Sequence, residues 1–369
     1  MSYKSKVEVL LEKAGVKIDG NRPWDIQVKN ENLYRRVLFG GHLGLGESYV
    51  EGWWECEDLE GFFYRILDAN LDKEVNSAIA TFNTLTSALF NKQSPKRAFT
   101  VGKKHYNVSN ELFQGMLDKR MMYSCGYWKN AENLDEAQEN KLCLIFDKLN
   151  LKRGQRVLDI GCGFGGAAEY AATRYGVSVA GITISTEQAK LARERNNGLK
   201  VYIDVMDYRH LSGSYDNAYS IGMFEHVGFK NYKTYFEVVN RCLKEDGMFL
   251  LHTIGANSPA TTGDPWTNKY IFPNGMLPSA SQLTSAFEGL FILEDWQSFG
   301  YDYTLTLREW FKNFTAYWQS IGFSQEDRFY RIWKYYLLSF AGAFEARNIQ
   351  VWQILLSKKG MRGPVNILR

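Results

Sequence analysis

The stretch Arg156-Val157-Leu158-Asp159-Ile160-Gly161-Cys162-Gly163-Phe164-Gly165-Gly166 constrains this chain more than any other, because an apolar run closed by an acid is followed by four glycines in six positions. Val157, Leu158 and Ile160 suit a strand covered on both faces, as in a parallel sheet, and Ala167 to Arg174 supplies the helix that follows. Glycines between strand and helix let the backbone approach a ligand at a topological switch point, beside the helix amides. The stretch therefore predicts a cofactor site in an α/β domain. Gly161, Gly163 and Gly166 satisfy the spacing G-x-G-x-x-G of dinucleotide sites, which is weak evidence alone. Two features oppose a dinucleotide. Asp159 stands at the strand's mouth, where a carboxylate would repel a pyrophosphate but could accept hydrogen bonds from, or pair with, a cationic ligand. The second strand ends in Gly181-Ile182-Thr183-Ile184-Ser185, without the acid that a ribose would need.

Around this motif the chain of 369 residues has room for two domains. Residues 1–90 read as a small, mostly helical N-terminal domain with possible lipid or membrane docking. It has a helix over 4–14 ended by Gly15, a strand near Asp25 to Val28, a tight helix-to-helix corner at Gly40 to Tyr49, and helical periodicity over 58–90 in Leu59, Phe62, Phe63, Ile66 and Leu67. Residues 91–110 hold Lys92, Lys96, Arg97, Lys103 and Lys104 without an acid, and Pro95 breaks any helix there. This basic linker is either a solvated connection or, with Phe99 and Tyr106, a contact for anionic lipid headgroups. Residues 111–369 read as the catalytic domain. Glu111 to Leu117 predicts a helix and Tyr123 to Trp128 an irregular aromatic loop. Strands are expected at 156–161, 177–185, 199–205, 215–222 and 247–255, with helices at 186–195 and 230–243. Two last strands, Leu290 to Phe299 and Gln350 to Lys358, flank an aromatic helical insertion at about 300–347, with helices near Leu305 to Ser320 and Gln325 to Arg347. On the first, Trp310, Phe311, Phe314 and Trp318 share a face that reads as core rather than lipid site.

The strand ends carry the chemistry. Met223-Phe224-Glu225-His226-Val227-Gly228 follows the fourth strand, Leu251-His252-Thr253-Ile254-Gly255 ends the fifth, and Phe299-Gly300-Tyr301-Asp302-Tyr303 follows the sixth. These loops are expected to converge over the cofactor mouth. Asp159-Ile160-Gly161-Cys162-Gly163 resembles the first motif of S-adenosylmethionine-dependent methyltransferases. Together with Gly181 to Ser185 and Gln188, the Glu225 and His252 loops and Tyr123-Ser124-Cys125, in this order and spacing, it is similar to the cyclopropane-fatty-acyl-phospholipid synthases. The similarity covers nearly the whole chain. It includes Gly44-Leu45-Gly46-Glu47-Ser48-Tyr49 and Gly52-Trp53-Trp54, in the N-terminal domain that separates the bacterial phospholipid enzymes from shorter mycolic-acid relatives.

The resemblance implies a Rossmann-like class I methyltransferase sheet, mostly parallel with the last strand antiparallel. It also implies transfer of a methylene from S-adenosylmethionine to the cis double bond of an unsaturated acyl chain in a membrane phospholipid, with bicarbonate as the base. Carried over by position, the bicarbonate cage is Cys125, Glu225, His252, the backbone at Ile254, and Tyr303. The cofactor set is Gly161, Gly163, Thr183, Gln188 and Tyr106 with Ser124, joined by Tyr123 and Ile184, with Asp207 and Tyr208 beside the adenine and Asp159 just behind the glycines. Phe164 departs from relatives that carry Trp there, keeping an aromatic ring and losing the indole N–H. An alkene is a poor nucleophile, so the donor must be held in near-attack geometry, and the carbocation that forms must be kept dry. Glu225 is the odd member, since two anions repel; it is read as accepting a hydrogen bond from bicarbonate or orienting His252.

The alternative is a methyltransferase that leaves a methylated acyl chain on the same fold. A lipid-binding module without catalysis would be expected to have lost the glycine turn or Glu225 and His252. Lys plus Arg number 44 against 41 acids, which argues against a nucleic-acid partner. The five cysteines are widely spaced without C-x-x-C, so neither a metal site nor a disulfide framework is expected, and a reducing cytoplasm fits. No stretch suits a signal core or a membrane span, so a peripheral place at the inner face of the cytoplasmic membrane and a homodimer complete the expectation.

Overall fold

The computed structural model describes residues 2–71 and 110–362. The basic linker except Asn110, the later part of the 58–90 segment, and Tyr106 lie outside the described residues. In order the elements are α1 (Tyr3–Lys13), β1 (Gln27–Val28), α2 (Asn32–Val50), β2 (Trp54–Glu55), α3 (Leu59–Asp68), α4 (Asn110–Met116), α5 (Leu134–Lys148), β3 (Arg156–Ile160), α6 (Gly166–Tyr175), β4 (Ser178–Thr183), α7 (Thr186–Arg195), β5 (Val201–Val205), β6 (Tyr215–Ile221), α8 (Tyr232–Cys242), β7 (Leu243–Ala256), α9 (Pro265–Tyr270), α10 (Ala280–Phe287), β8 (Ile292–Ser298), α11 (Tyr301–Ser320), α12 (Arg328–Glu345) and β9 (Ile349–Ser357).

Two compact units form. One contains the described residues before 72 with Thr261–Gly275 and Tyr303–Ile349. The aromatic helices, which sequence order attaches to the catalytic domain, thus cluster with the N-terminal segment. The reason is close packing of α12 on α3: a Cβ on Gly342 would lie 2.7 Å from the Glu60 carbonyl and 2.8 Å from Phe63 Cβ. Tyr335 of α12 meets both Phe63 and Tyr49 edge-on or tilted, and Arg331 donates to the Tyr49 carbonyl while pairing with Glu55 at 2.8 Å. The expected corner at Gly40 to Tyr49 is a kink within α2 at Gly41, whose φ of 51° and ψ of −135° suit glycine. Trp310, Phe314 and Trp318 are buried, as a core face requires, and Phe311 is half-buried.

The other unit is built on a seven-stranded sheet of order β5-β4-β3-β6-β7-β9-β8. The pairs β3/β4, β4/β5, β3/β6 and β6/β7 are parallel and β8/β9 is antiparallel, which is the expected class I methyltransferase arrangement. The chain runs outward from β3 to β5 and returns to β6 on the other side of β3. The switch point therefore lies at the carboxyl ends of β3 and β6. Alternation along β3 sends Val157 to a core with α5 and α6, and Leu158 and Ile160 to one with α8 and α10. Both faces of the sheet are thereby covered.

Candidate active site

At the end of β3 each glycine serves a different need. Gly161, at φ 92°, has Met223 where a Cβ would stand, 2.6 Å away, and its N–H donates to the Ile182 carbonyl. Gly165 lets α6 pack against Ala192 of α7 and Asn196 at that helix's C-cap, and a Cβ on Gly166 would lie 2.2 Å from the Arg120 carbonyl. Gly163 differs. Its φ is 52° and no atom of the described residues lies within 4 Å of a Cβ built on it, so among them it is the glycine of the turn that leaves an open approach to the backbone. Such a cradle fits a ligand held against main chain. Phe164 is buried with its ring 5.6 Å from Phe113, which in turn packs edge-on against Tyr123.

Asp159 stays behind this turn. Its carboxylate is buried and accepts from Tyr219 Oη at 2.9 Å, and burial pushes it up to about 7. Within the protein the carboxyl is thus engaged by Tyr219 through one oxygen. Its raised value has a consequence for stability. A folded-state value above the unfolded one, near 3.9, means that the group's contribution is fully present below about pH 4 and is lost as pH rises through about 7. Asp159→Asn, which retains an acceptor for Tyr219, is expected to gain roughly 1–3 kcal/mol on the wild type between pH 5 and 7.5. Denaturant unfolding of both proteins across that range checks this; parallel pH dependence would mean that Asp159 titrates normally.

The other residues of the cofactor set are locally bonded. Thr183 Oγ1 donates to Gln188 Oε1 at 3.0 Å, and Ser185 Oγ caps α7 by accepting from the Gln188 N–H. Ile184 connects the two. Asp207 accepts from the Arg209 guanidinium at 2.8 Å. Tyr208 lies edge-on to Tyr235, and its hydroxyl, though buried, has no hydrogen-bond partner among the described residues. It is a polar atom available to a ligand.

The adjacent ends of β6 and β7 bring Glu225 to the Ile254 backbone, two residues beyond His252. Gly222, after β6, donates to the His252 carbonyl on β7. Glu225 Oε1 accepts the Ile254 N–H at 2.7 Å, so that backbone donor, expected in the cage, is already engaged by the carboxylate. Glu225 Oε2 is buried without a partner among the described residues, and burial raises the carboxyl to about 7. His252 is buried with its ring 5.8 Å from that of Phe299, after β8, and Gln353 Nε2 on β9 stands 3.5 Å from His252 Nδ1. Burial, reinforced by the charges of Lys141 and Lys148, holds His252 well below its usual value and keeps it neutral. Cys125 is buried and its thiol donates to the Gly126 carbonyl at 3.1 Å. The adjoining Ser124 approaches the end of β6, its Cβ 3.6 Å from the position of a Cβ on Gly222. Tyr303 belongs to the helical unit, where its ring lies 4.6 Å from Phe344 and 5.7 Å from Trp310.

Sequence reasoning missed α5, and with it Gln138 and Lys141, which bond to Ser124; it also missed Tyr219 and Gln353, and named Phe299 only as part of the loop after the sixth strand. A signal for α5 existed: Leu134, Ala137, Leu142 and Ile145 recur at helical spacing, with Gln138, Lys141 and Lys148 on the same buried face.

Residues 93–354 match the family model described as mycolic acid cyclopropane synthetase. The cyclopropane-fatty-acyl-phospholipid synthase of Escherichia coli (strain K12) is 53% identical over 361 residues, covering 98% of this chain and 94% of that protein. Among solved structures, mycolic acid cyclopropane synthase CmaA1 complexed with SAH and CTAB superposes with a TM-score of 0.64 at 31% identity, over 70% of this chain and 98% of that one. Coclaurine N-methyltransferase, bound to N-methylheliamine and SAH, has a TM-score of 0.69 at 24% identity over 85% and 99% of the two chains, a likeness of fold alone. Family match, near-complete alignment and a glycine turn at the switch point of a methyltransferase sheet agree: this chain belongs to the mycolic acid cyclopropane synthetase family.

Proposed function

We propose that this protein is a cyclopropane-fatty-acyl-phospholipid synthase, transferring a methylene from S-adenosylmethionine to the double bond of an unsaturated phospholipid acyl chain, with bicarbonate as the base. The observation that carries the reading is the buried pair of Glu225 and His252 at adjacent strand ends, both shifted toward their neutral forms beside the glycine turn. Bound S-adenosylmethionine supplies the methyl group as a sulfonium donor. Gly161 and Gly163, with Ser124, Thr183, Gln188 and Tyr208, would hold it, joined from the motifs by Tyr106, Tyr123, Ile184 and Asp207. Bicarbonate would accept the proton lost when the ring closes. A protonated Glu225 resolves the conflict between two anions, because its Oε2 can then donate instead of repel. Neutral His252 offers a ring N–H to the same anion, and Cys125 and Phe299 help exclude water. Tyr303 joins this set from its motif alone.

Incubation with unsaturated phospholipid vesicles and labelled S-adenosylmethionine tests the function. Product that gains CH₂ and resists ozone supports cyclopropanation, whereas an ozone-cleavable methylated product would assign the chain to C-methylation. No helix among the described residues is long and apolar enough to cross a membrane. A peripheral homodimer at the inner face of the cytoplasmic membrane belongs to the same reading, with the basic stretch 91–110 meeting anionic headgroups. Replacing Lys96, Arg97, Lys103 and Lys104 with Gln is expected to weaken binding to anionic vesicles at low salt by roughly 1 kcal/mol per cation, leaving cofactor binding intact. Equal co-sedimentation of variant and wild type would reduce the stretch to a solvated linker.

A further inference from the structure

The buried face of α5 carries two lysines. Lys148 is neutralised by Asp295 at 3.0 Å and donates to Gln297 Oε1 at 2.6 Å. Lys141, fully buried, forms no such ion pair among the described residues. Asp118 acts on it through space, but that carboxylate is occupied in accepting the backbone N–H groups of Arg120 and Met122. The Lys141 ammonium instead donates to Ser124 Oγ at 2.8 Å and to Gln138 Oε1 at 2.5 Å, and Gln138 Nε2 donates to the Ser124 carbonyl at 2.8 Å. Burial pulls Lys141 down to about 8, with Asp118 and Cys125 opposing the fall. The charge also reaches His252. An ammonium is costly to desolvate, and an apolar side chain of similar length would fill this core position at lower cost. Both of its hydrogen bonds are spent on fixing one loop.

We propose that Lys141 is a positioning residue for the transfer reaction, locking Ser124 through its hydroxyl and, by way of Gln138, through its carbonyl, so that Tyr123, Ser124 and Cys125 are held at the end of β6. The proposal rests on the reading of Ser124 and Cys125 as site residues given above. It separates stability from function, which a core lysine of purely structural value would not do.

Lys141→Met is expected to melt at or above the wild-type temperature, because the buried charge is gone, while its affinity for S-adenosylmethionine in calorimetry falls roughly tenfold. Combining it with Ser124→Ala should cost less than the product of the two single losses, since both remove the Lys141–Ser124 Oγ bond while the route through Gln138 to the Ser124 carbonyl is lost only with Lys141. A folded Lys141→Met that binds S-adenosylmethionine within twofold of wild type would overturn the proposal. So would losses that multiply in the double variant, or a lowered melting temperature that accounts for the lost binding. Wild-type protein that fails to bind S-adenosylmethionine would remove the functional reading itself, whatever the variants do.

Discussion

His252→Ala is expected to lose roughly 10²–10³-fold in turnover while binding S-adenosylmethionine nearly as the wild type does. The imidazole is buried at the end of β7, next to the Glu225 loop, and the glycine turn lies after β3, so the two functions sit on different strand ends. Removing the ring deletes a neutral hydrogen-bonding partner of the proposed base and leaves the cofactor's side of the site unaltered. The decisive measurement is turnover in degassed, bicarbonate-free buffer, with and without bicarbonate added back. Wild type should depend on the addition, and a variant with weakened anion binding should need more of it by mass action. Above pH 7 the need should grow, because Glu225, raised to about 7, then loses the proton with which it would donate. Normal turnover by His252→Ala, together with wild-type indifference to bicarbonate, would show that the proton leaves by another route.

Gly163→Val is expected to reduce S-adenosylmethionine affinity by more than about 100-fold in a protein that still folds. The position tests ligand contact because nothing among the described residues lies within 4 Å of an added Cβ, whereas Gly161, Gly165 and Gly166 would each meet their own neighbours. The φ of 52° costs a non-glycine residue roughly 1–2 kcal/mol, which is tolerable for the domain. The isopropyl group then occupies the side from which a ligand would reach the backbone. Calorimetry on a variant with a wild-type circular dichroism spectrum checks this. Unchanged affinity, or tight NAD binding by the wild type, would end the assignment of the turn.

The glycine turn, the strands after residue 151, most of the helices between them and the residue types at the strand ends were legible in the sequence, whereas α9 and α10 were not. The legible features are local properties: apolar period, Ser at a helix start such as Ser185, and glycine where φ is positive. What the side chains meet was decided only in three dimensions. Four similar glycines divide into three that permit packing and one with no neighbour among the described residues, a difference set by Met223, Ala192 and Arg120 arriving from elsewhere in the chain. Asp159 at the strand mouth shows nothing in the sequence of its bond with Tyr219, 60 residues on, or of the burial that raises it to about 7. Glu225 reads as a repelling anion until desolvation by surrounding segments raises it to about 7 and the Ile254 N–H claims one oxygen. The helices between β8 and β9 join the N-terminal segment because Gly342 admits α3, an approach no local pattern encodes. Burial and partnership are sums over distant segments, and a charge, a hydrogen bond or a cavity takes its value from that sum.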